Sequence, residues 1–272
     1  MSDDHNREDS LPSSSFVLSE VAELVRFFSR IPLPKLGKWD DLNTAPDFRL
    51  RARSIPLAGV VISLPSIVVL LVLSQSALPS GVVALLAIAV VAAVQGCLHE
   101  DGLSDVVDGF FGGHTAERRL EIMKDSRIGA FGTVALVLSL SLRWLLLSSL
   151  LETFGGLGAA LGYLAAETAG RTGMVWIWHT VPAAYQGGLS TRFGIPTKTA
   201  LYQAACFGLP FVVISLFYLS FWQVVLGALV SFVLVWALAK LSFSKIKGVT
   251  GDVLGAAQQV GSLGFLLGVL CL

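Results

Sequence analysis

Seven stretches almost free of charge divide this chain, and nothing constrains its fold more. They run approximately over 55–76, 80–98, 131–152, 156–178, 201–221, 223–240 and 253–272, each near the ~20 residues that a bilayer core demands. Backbone groups in hydrocarbon must satisfy one another, so apolar runs of this length are helices. The expected fold class is therefore all-α: a polytopic transmembrane helical bundle of about seven spans. The fourth run carries Gly158, Gly162, Gly170 and Gly173 together with Glu167 and Arg171, so it should face other helices or a polar cavity rather than lipid. Composition excludes the competing classes. Of 272 residues 54% are hydrophobic and 14% charged, too few polar side chains for a soluble surface of this size. The 10% aromatic content opposes disorder, and a net charge of zero opposes a nucleic-acid partner.

Ahead of the first run the chain changes character twice. Residues 1–15 read as a disordered polar tail, acidic at Asp3, Asp4, Glu8 and Asp9 and without the basic start and apolar core of a secretory signal. Residues 16–50 read as a cytoplasmic, interfacial amphipathic segment. Within it Phe16, Val17, Leu18, Val21, Leu24, Val25 and Phe28 recur at helical spacing, with Glu20, Glu23 and Arg26 on the other side. That helix is too short and polar to span, and Pro32 and Pro34 end it. Residues 51–272 form the transmembrane catalytic domain. Cys97, Cys206 and Cys271 sit alone in apolar runs and read as small buried hydrophobes.

The basic residues test the span count independently. With seven spans and the N-terminus inside, every Lys and Arg except the intramembrane Arg143 and Arg171 falls on one face, as expected for the cytoplasmic side. All long loops then share that face, and the localisation implied is a multi-pass membrane protein whose N-terminus and site loops are cytoplasmic.

The chemistry concentrates in the loop 99–130. Asp101, Asp105 and Asp108 fall at i, i+4 and i+7; on a helix continuing from the second span they share one face. Stacked carboxylates repel unless a cation joins them, and an all-oxygen set suits Mg²⁺ or Mn²⁺. After Gly112-Gly113, Thr115 can cap a second helix bearing Glu117, Glu121 and Asp125, accompanied by Arg118, Arg119, Lys124 and Arg127. Carboxylates for a metal beside cations for phosphate oxygens are the parts of phosphoryl transfer. This makes Asp101, Asp105 and Asp108 the catalytic candidates, with Glu121 and Asp125 as further metal ligands. His99 is a candidate acid, base or ligand, as is His114, while His179 is less persuasive. A second candidate segment, Lys245 to Asp252, precedes the last run. Its Gly248, Thr250 and Gly251 can turn backbone N–H groups toward an anion at a helix N-terminus, with Lys247 adding charge, while Thr250 or Asp252 can simply cap that helix. Glu167 and Arg171 lie one turn apart and are either functional or mutually neutralising. Arg143 reads as a snorkelling or packing residue.

On these residues the chain resembles the cobalamin synthase family, the adenosylcobinamide-GDP ribazoletransferases. The resemblance runs from Phe27-Phe28-Ser29-Arg30-Ile31-Pro32-Leu33-Pro34 through Arg53-Ser54-Ile55-Pro56-Leu57-Ala58-Gly59 to the H-E-D-G-L-x-D-x-x-D-G and E-R-R-L-E-I-M-K-D-S-R-I-G-A-F-G blocks. It closes on G-V-T-G-D-V-L-G-A at Gly248 to Ala256. Ser104, Val106 and Val107 depart from the residues common in that family, and Gln259 stands where some relatives carry an acid. The resemblance implies a bacterial inner-membrane enzyme that uses Mg²⁺. It would join adenosylcobinamide-GDP to α-ribazole, or its 5′-phosphate, releasing GMP late in cobalamin biosynthesis. Asp101, Asp105 and Asp108 would then hold Mg²⁺; His99, Arg118, Lys124, Arg127, Lys247, Thr250, Gly251 and Asp252 would bind substrate. Two other classes are weighed against this. A CDP-alcohol-type membrane phosphotransferase would show a D-G-x-x-A-R…G-x-x-x-D-x-x-x-D pattern, which is absent here. A transporter would place its ionisable groups near mid-membrane, whereas here most lie in loops.

Overall fold

The computed structural model describes residues 14–36, 40, 42, 45–185, 187–188 and 193–272. The tail expected over 1–15 lies almost wholly outside the described residues, as do Arg7, Lys38 and Arg192 of the one-sided cations. Helix α1 spans Ser14–Phe28; α2, Phe48–Arg51, passes through a 3-10 turn at Ala52–Ser54 into α3, Ile55–Leu73. There follow α4 (Ser80–Gln95), α5 (Leu98–Gly112), α6 (Ala116–Met123), α7 (Ala130–Thr180), α8 (Lys198–Ile214), α9 (Phe221–Ile246) and α10 (Gly251–Leu270). Among the described residues the one departure from helix and loop is an isolated bridge between Ala183 and Val249.

Among the described residues five helical stretches are long and apolar enough to cross a membrane, and the 51-residue α7 must count twice. At 1.5 Å per residue it would be more than twice as long as a bilayer core is thick. It folds back instead at Gly155, whose φ of 67° and ψ of −177° only glycine adopts readily. The reversal is visible in its contacts, because Arg143 and Glu167, 24 residues apart, form an ion pair at 2.9 Å. With α4, which qualifies only together with α5, as a further crossing, the count comes to about seven, in line with the apolar runs, and the fourth begins where expected.

Three features differ from expectation. The acidic helix does not continue from α4. Gly96 and Cys97 both take left-handed φ, 63° and 57°, and the chain turns by 87° into α5. The aspartates thus ride on a separate helix lying across the end of the bundle. Nor is the polar face of α1 turned to water. Arg53 clasps buried Glu20 with two bonds of 3.0 Å, Ser54 donates to the same carboxylate at 2.6 Å, and Glu23 pairs with Arg51. Both faces of α1 are therefore engaged, the apolar one through Leu24, Val25 and Phe28. The three cysteines, expected to be buried, are exposed on the protein surface.

The axis of the bundle is α10, buried almost continuously from Val253 to Val269. Its Gly255, Ala256, Ala257, Gly261, Gly264 and Gly268 allow neighbours to approach closely, the usual solution where lipid offers no hydrophobic drive for helix association. Among the described residues the cation-bearing connections gather at one end. There Ala184 N donates to Val249 O at 3.0 Å, Thr197 N to Arg49 O at 2.9 Å and Arg30 N to Val94 O at 2.7 Å.

Candidate active site

The site forms where α5 crosses the N-terminus of α10. Gly102 makes the crossing possible: a Cβ there would sit 2.9 Å from the carbonyl oxygen of Asp252, so a residue without a side chain lets the two backbones touch. Asp101 on α5 is exposed and Asp105, one turn on, is half-buried. Asp252 lies in the first turn of α10, where Thr250 caps the helix by accepting from Val253 N at 3.3 Å and donates to Asp252 Oδ2 at 3.2 Å. Burial, then the charges of Asp101, Asp252 and Asp108, push the Asp105 carboxyl up to about 7. Four carboxylates from two elements thus act on one another at this crossing.

Asp108 has a different task from Asp101 and Asp105. It is buried, and its two oxygens accept from Gly129 N at 2.7 Å and Gly132 N at 2.8 Å. Gly129 is the N-cap of α7 and has no side chain to cap with, so Asp108 supplies the cap from α5 and gains from the helix dipole. A Cβ on Gly129 or Gly132 would overlap that carboxylate, which accounts for the G-A-F-G that closes the second block.

The remaining sequence candidates divide. Thr115 caps α6 as expected, accepting from Arg118 N at 3.2 Å. Glu121 pairs with Arg118 at 2.9 Å, and Asp125 takes three bonds from Arg127, the shortest 2.6 Å. Those bonds pull the Asp125 carboxyl down to about 2. Neither acid is among the charges acting on Asp105, so the structure does not bring them to the α5–α10 crossing. Lys124 sits 4.4 Å above the ring of Tyr185. Arg119, named among the loop's cations but not among the substrate-binding candidates, ties α6 to the end of α9 by donating to Lys245 O at 2.8 Å. Lys247 is exposed and holds a left-handed φ of 61°, stopping α9 and turning the chain toward Thr250. His114 is exposed, whereas His179 Nδ1 lies 2.7 Å from Pro196 O, a structural contact.

Beneath the crossing lies a buried polar cluster that the sequence revealed only in part. Glu167 takes Arg143 Nη1 at 2.9 Å, Arg171 Nη1 at 2.7 Å, Gln258 Nε2 at 3.0 Å and Ser262 Oγ at 2.8 Å. Gln259 links Arg143 to Glu100, with bonds of 2.6 and 3.0 Å. The two guanidiniums are thus matched by two carboxylates, and Arg143 points inward to this cluster rather than snorkelling. Its partners lie 24 and 116 residues away, so no local pattern announces it.

A divalent cation can be tested against this donor set. Among the described residues no three acidic, His or Cys side chains converge as a ready-made metal cage. Mg²⁺ does not require one, since it is commonly held by one or two carboxylates and by substrate phosphates, keeping several waters. Mutually repelling Asp101, Asp105 and Asp252 fit that role.

Comparison with known proteins identifies the family. A family model described as Cobalamin-5-phosphate synthase matches residues 20–270. Proteins named adenosylcobinamide-GDP ribazoletransferase in Brucella ovis, Brucella abortus and Brucella anthropi are each 40% identical over 255 residues, covering 93% of this chain and 97% of theirs. No solved structure matches.

Proposed function

The chain belongs to the cobalamin-5-phosphate synthase family and is a membrane-embedded transferase of cobalamin synthesis; from that premise we propose that it joins adenosylcobinamide-GDP to α-ribazole or its 5′-phosphate and releases GMP. In this reaction a ribose hydroxyl forms a new bond to the cobinamide-bearing phosphorus, and the bridging P–O bond to GMP breaks. The proton goes to a carboxylate of the α5–α10 crossing. The observation that supports this reading most is that Asp101 and Asp252, from two helices, stand near enough to Asp105 at one solvent-reaching crossing for their charges to raise its carboxyl.

Asp101, Asp105 and Asp252 would hold Mg²⁺, which when bound neutralises diphosphate charge and favours the leaving of GMP. Asp108 keeps α5 docked to the start of α7, so that the other aspartates stay in place. The N-terminus of α10 turns its first N–H groups toward the same region, where an anion is favoured. Lys124, Arg127 and Lys247, on neighbouring segments, supply cations to the phosphates. The one-sided Lys and Arg support a cytoplasmic position for this end, and the family resemblance is what suggests a bacterial inner membrane.

The test is an assay of the purified protein in lipid with adenosylcobinamide-GDP, α-ribazole and Mg²⁺, following GMP. Wild type should release GMP, and Asp105→Asn should abolish release while remaining folded. Near-normal turnover in Asp105→Asn would remove the metal assignment, and no GMP from well-folded wild type would overturn the reaction.

A further inference from the structure

A cavity of about 170 Å³ opens beside Asp101 and Asp252, walled by Phe27 and Phe28 of α1, His99 of α5, and Met174 and Trp178 near the end of α7. Two properties set it apart from a packing defect. First, its size: an apolar cavity of ~150 Å³ is enough to hold a benzene ring, so this one takes a flat aromatic group rather than a stray water. Second, its walls contain polar atoms with nothing to bind. Trp178 is 1% exposed and His99 2%, yet the indole N–H lacks a hydrogen-bond partner and the imidazole, with the Gln258 side chain beside it, leaves at least one nitrogen unpaired. Leaving such groups unmade costs free energy that a ligand would recover. The aromatic wall continues behind them, with Phe28 centred 6.1 Å from the His99 ring and Phe48 4.7 Å from Trp178.

We propose that this cavity is the subsite for the base of the acceptor nucleoside, a bicyclic aromatic of the benzimidazole class that stacks among Phe27, Phe28 and Trp178. The inference rests on the reaction proposed above. α-Ribazole carries such a base, largely apolar and with one free ring nitrogen, which can accept from Trp178 Nε1 or a protonated nitrogen of His99. Seated here, the base leaves its ribose at the mouth of the cavity, beside Asp101 and Asp252, where the attacking hydroxyl is needed. The guanine of the donor suits the cavity poorly. It has donors and acceptors on several edges, and burying them against mainly aromatic walls would leave most unpaired. The expected consequence is that α1, outside the membrane-spanning bundle, shapes acceptor selectivity through Phe27 and Phe28.

The full chain in lipid nanodiscs can be titrated with α-ribazole alone by calorimetry, and GMP release measured in parallel. Trp178→Phe keeps an aromatic wall but removes the donor. It should weaken α-ribazole binding and raise the KM for α-ribazole by roughly three- to tenfold, the worth of one hydrogen bond, with the KM for adenosylcobinamide-GDP unchanged. Phe28→Ala should do the same, and free 5,6-dimethylbenzimidazole should compete with α-ribazole and not with adenosylcobinamide-GDP. Unaltered α-ribazole binding in both folded variants would overturn the subsite, as would a rise confined to the KM for adenosylcobinamide-GDP. If wild type releases no GMP, the reaction fails independently; calorimetric binding of α-ribazole that depends on Trp178 then still supports the subsite, and absence of binding overturns it.

Discussion

Two aspartates three residues apart on α5 show how little residue type says about role. Asp105 carries the cost of its neighbours: buried in part and facing Asp101, Asp252 and Asp108, its carboxyl rises from 3.8 to about 7. Folded protein therefore retains this proton to a higher pH than unfolded protein. Stability consequently falls as pH rises between about 4 and 7, and above 7 the full penalty applies. Asp105→Asn removes the penalty, so without Mg²⁺ the inactive variant should outlast wild type above pH 7, with the difference closing toward pH 4. Thermal unfolding in chelator between pH 4 and 8 checks this; a difference independent of pH would contradict it. Asp108→Asn should behave oppositely. Asn offers one acceptor where Gly129 N and Gly132 N need two, and a buried amide left unpaired costs about 1–3 kcal/mol. Denaturant unfolding should therefore show a loss at all pH values. The i, i+4, i+7 spacing placed all three aspartates on one face, but it could not separate a repelled carboxylate from a helix cap. The partners of Asp108 lie 21 and 24 residues away, beyond the reach of a helical pattern.

At the scale of elements, the site depends on how closely α5 lies on α10. The contact is backbone to backbone at Gly102, where a Cβ would meet Asp252 O at 2.9 Å and Asp252 Cα at 3.1 Å. Neither atom can rotate away, so Gly102→Ala must separate the helices by tenths of an ångström and Gly102→Val by more. Misplacement of reacting groups by about 1 Å can cost 100-fold in rate. Gly102→Val should accordingly lower kcat by about that factor while the bundle, held elsewhere by α7 and α9, stays assembled. Gly112→Ala is the matching control, because its Cβ would meet only the tip of Ile122 at 3.6 Å; it should leave kcat within about twofold of wild type, in keeping with the small effects of unstrained surface changes. The spans were legible in the sequence because hydrocarbon thickness fixes their length, and Gly155 fell in the gap between two predicted runs. The 87° turn into α5 was not. It rests on left-handed Gly96 and Cys97, and Cys97 gives no local warning of such a conformation. The inward polar face of α1 was equally hidden, since its partners Arg51, Arg53 and Ser54 lie beyond the helix that a periodicity can describe.

In the whole molecule, charge is handled in two ways, and each leads to a prediction. Inside the bundle it is neutralised: Glu167 holds Arg143 and Arg171, while Glu100 balances the second guanidinium through Gln259. Glu167→Gln would leave a buried cation uncompensated, and breaking a buried pair in this way costs about 3–5 kcal/mol, measurable as a lower unfolding midpoint in detergent. Outside the bundle, positive charge is sorted to one end, and this one-sidedness is the ground for the proposed orientation. The three exposed cysteines report on it together. Cys97 lies at the turn into α5, on the end that carries the site; Cys206 lies within the spanning helix α8; Cys271 follows α10 at the far end. Only a thiolate reacts with a maleimide, so Cys206, facing lipid, should stay silent throughout. With seven spans and the site cytoplasmic, a membrane-impermeant maleimide added to sealed cells should modify one thiol, and Cys271→Ser should abolish that signal. Lysis should then expose Cys97. Modification of Cys97 in sealed cells would invert the orientation, and failure to reach Cys271 until lysis would make the number of crossings even, detaching the sorted charges from the membrane rule that explains them.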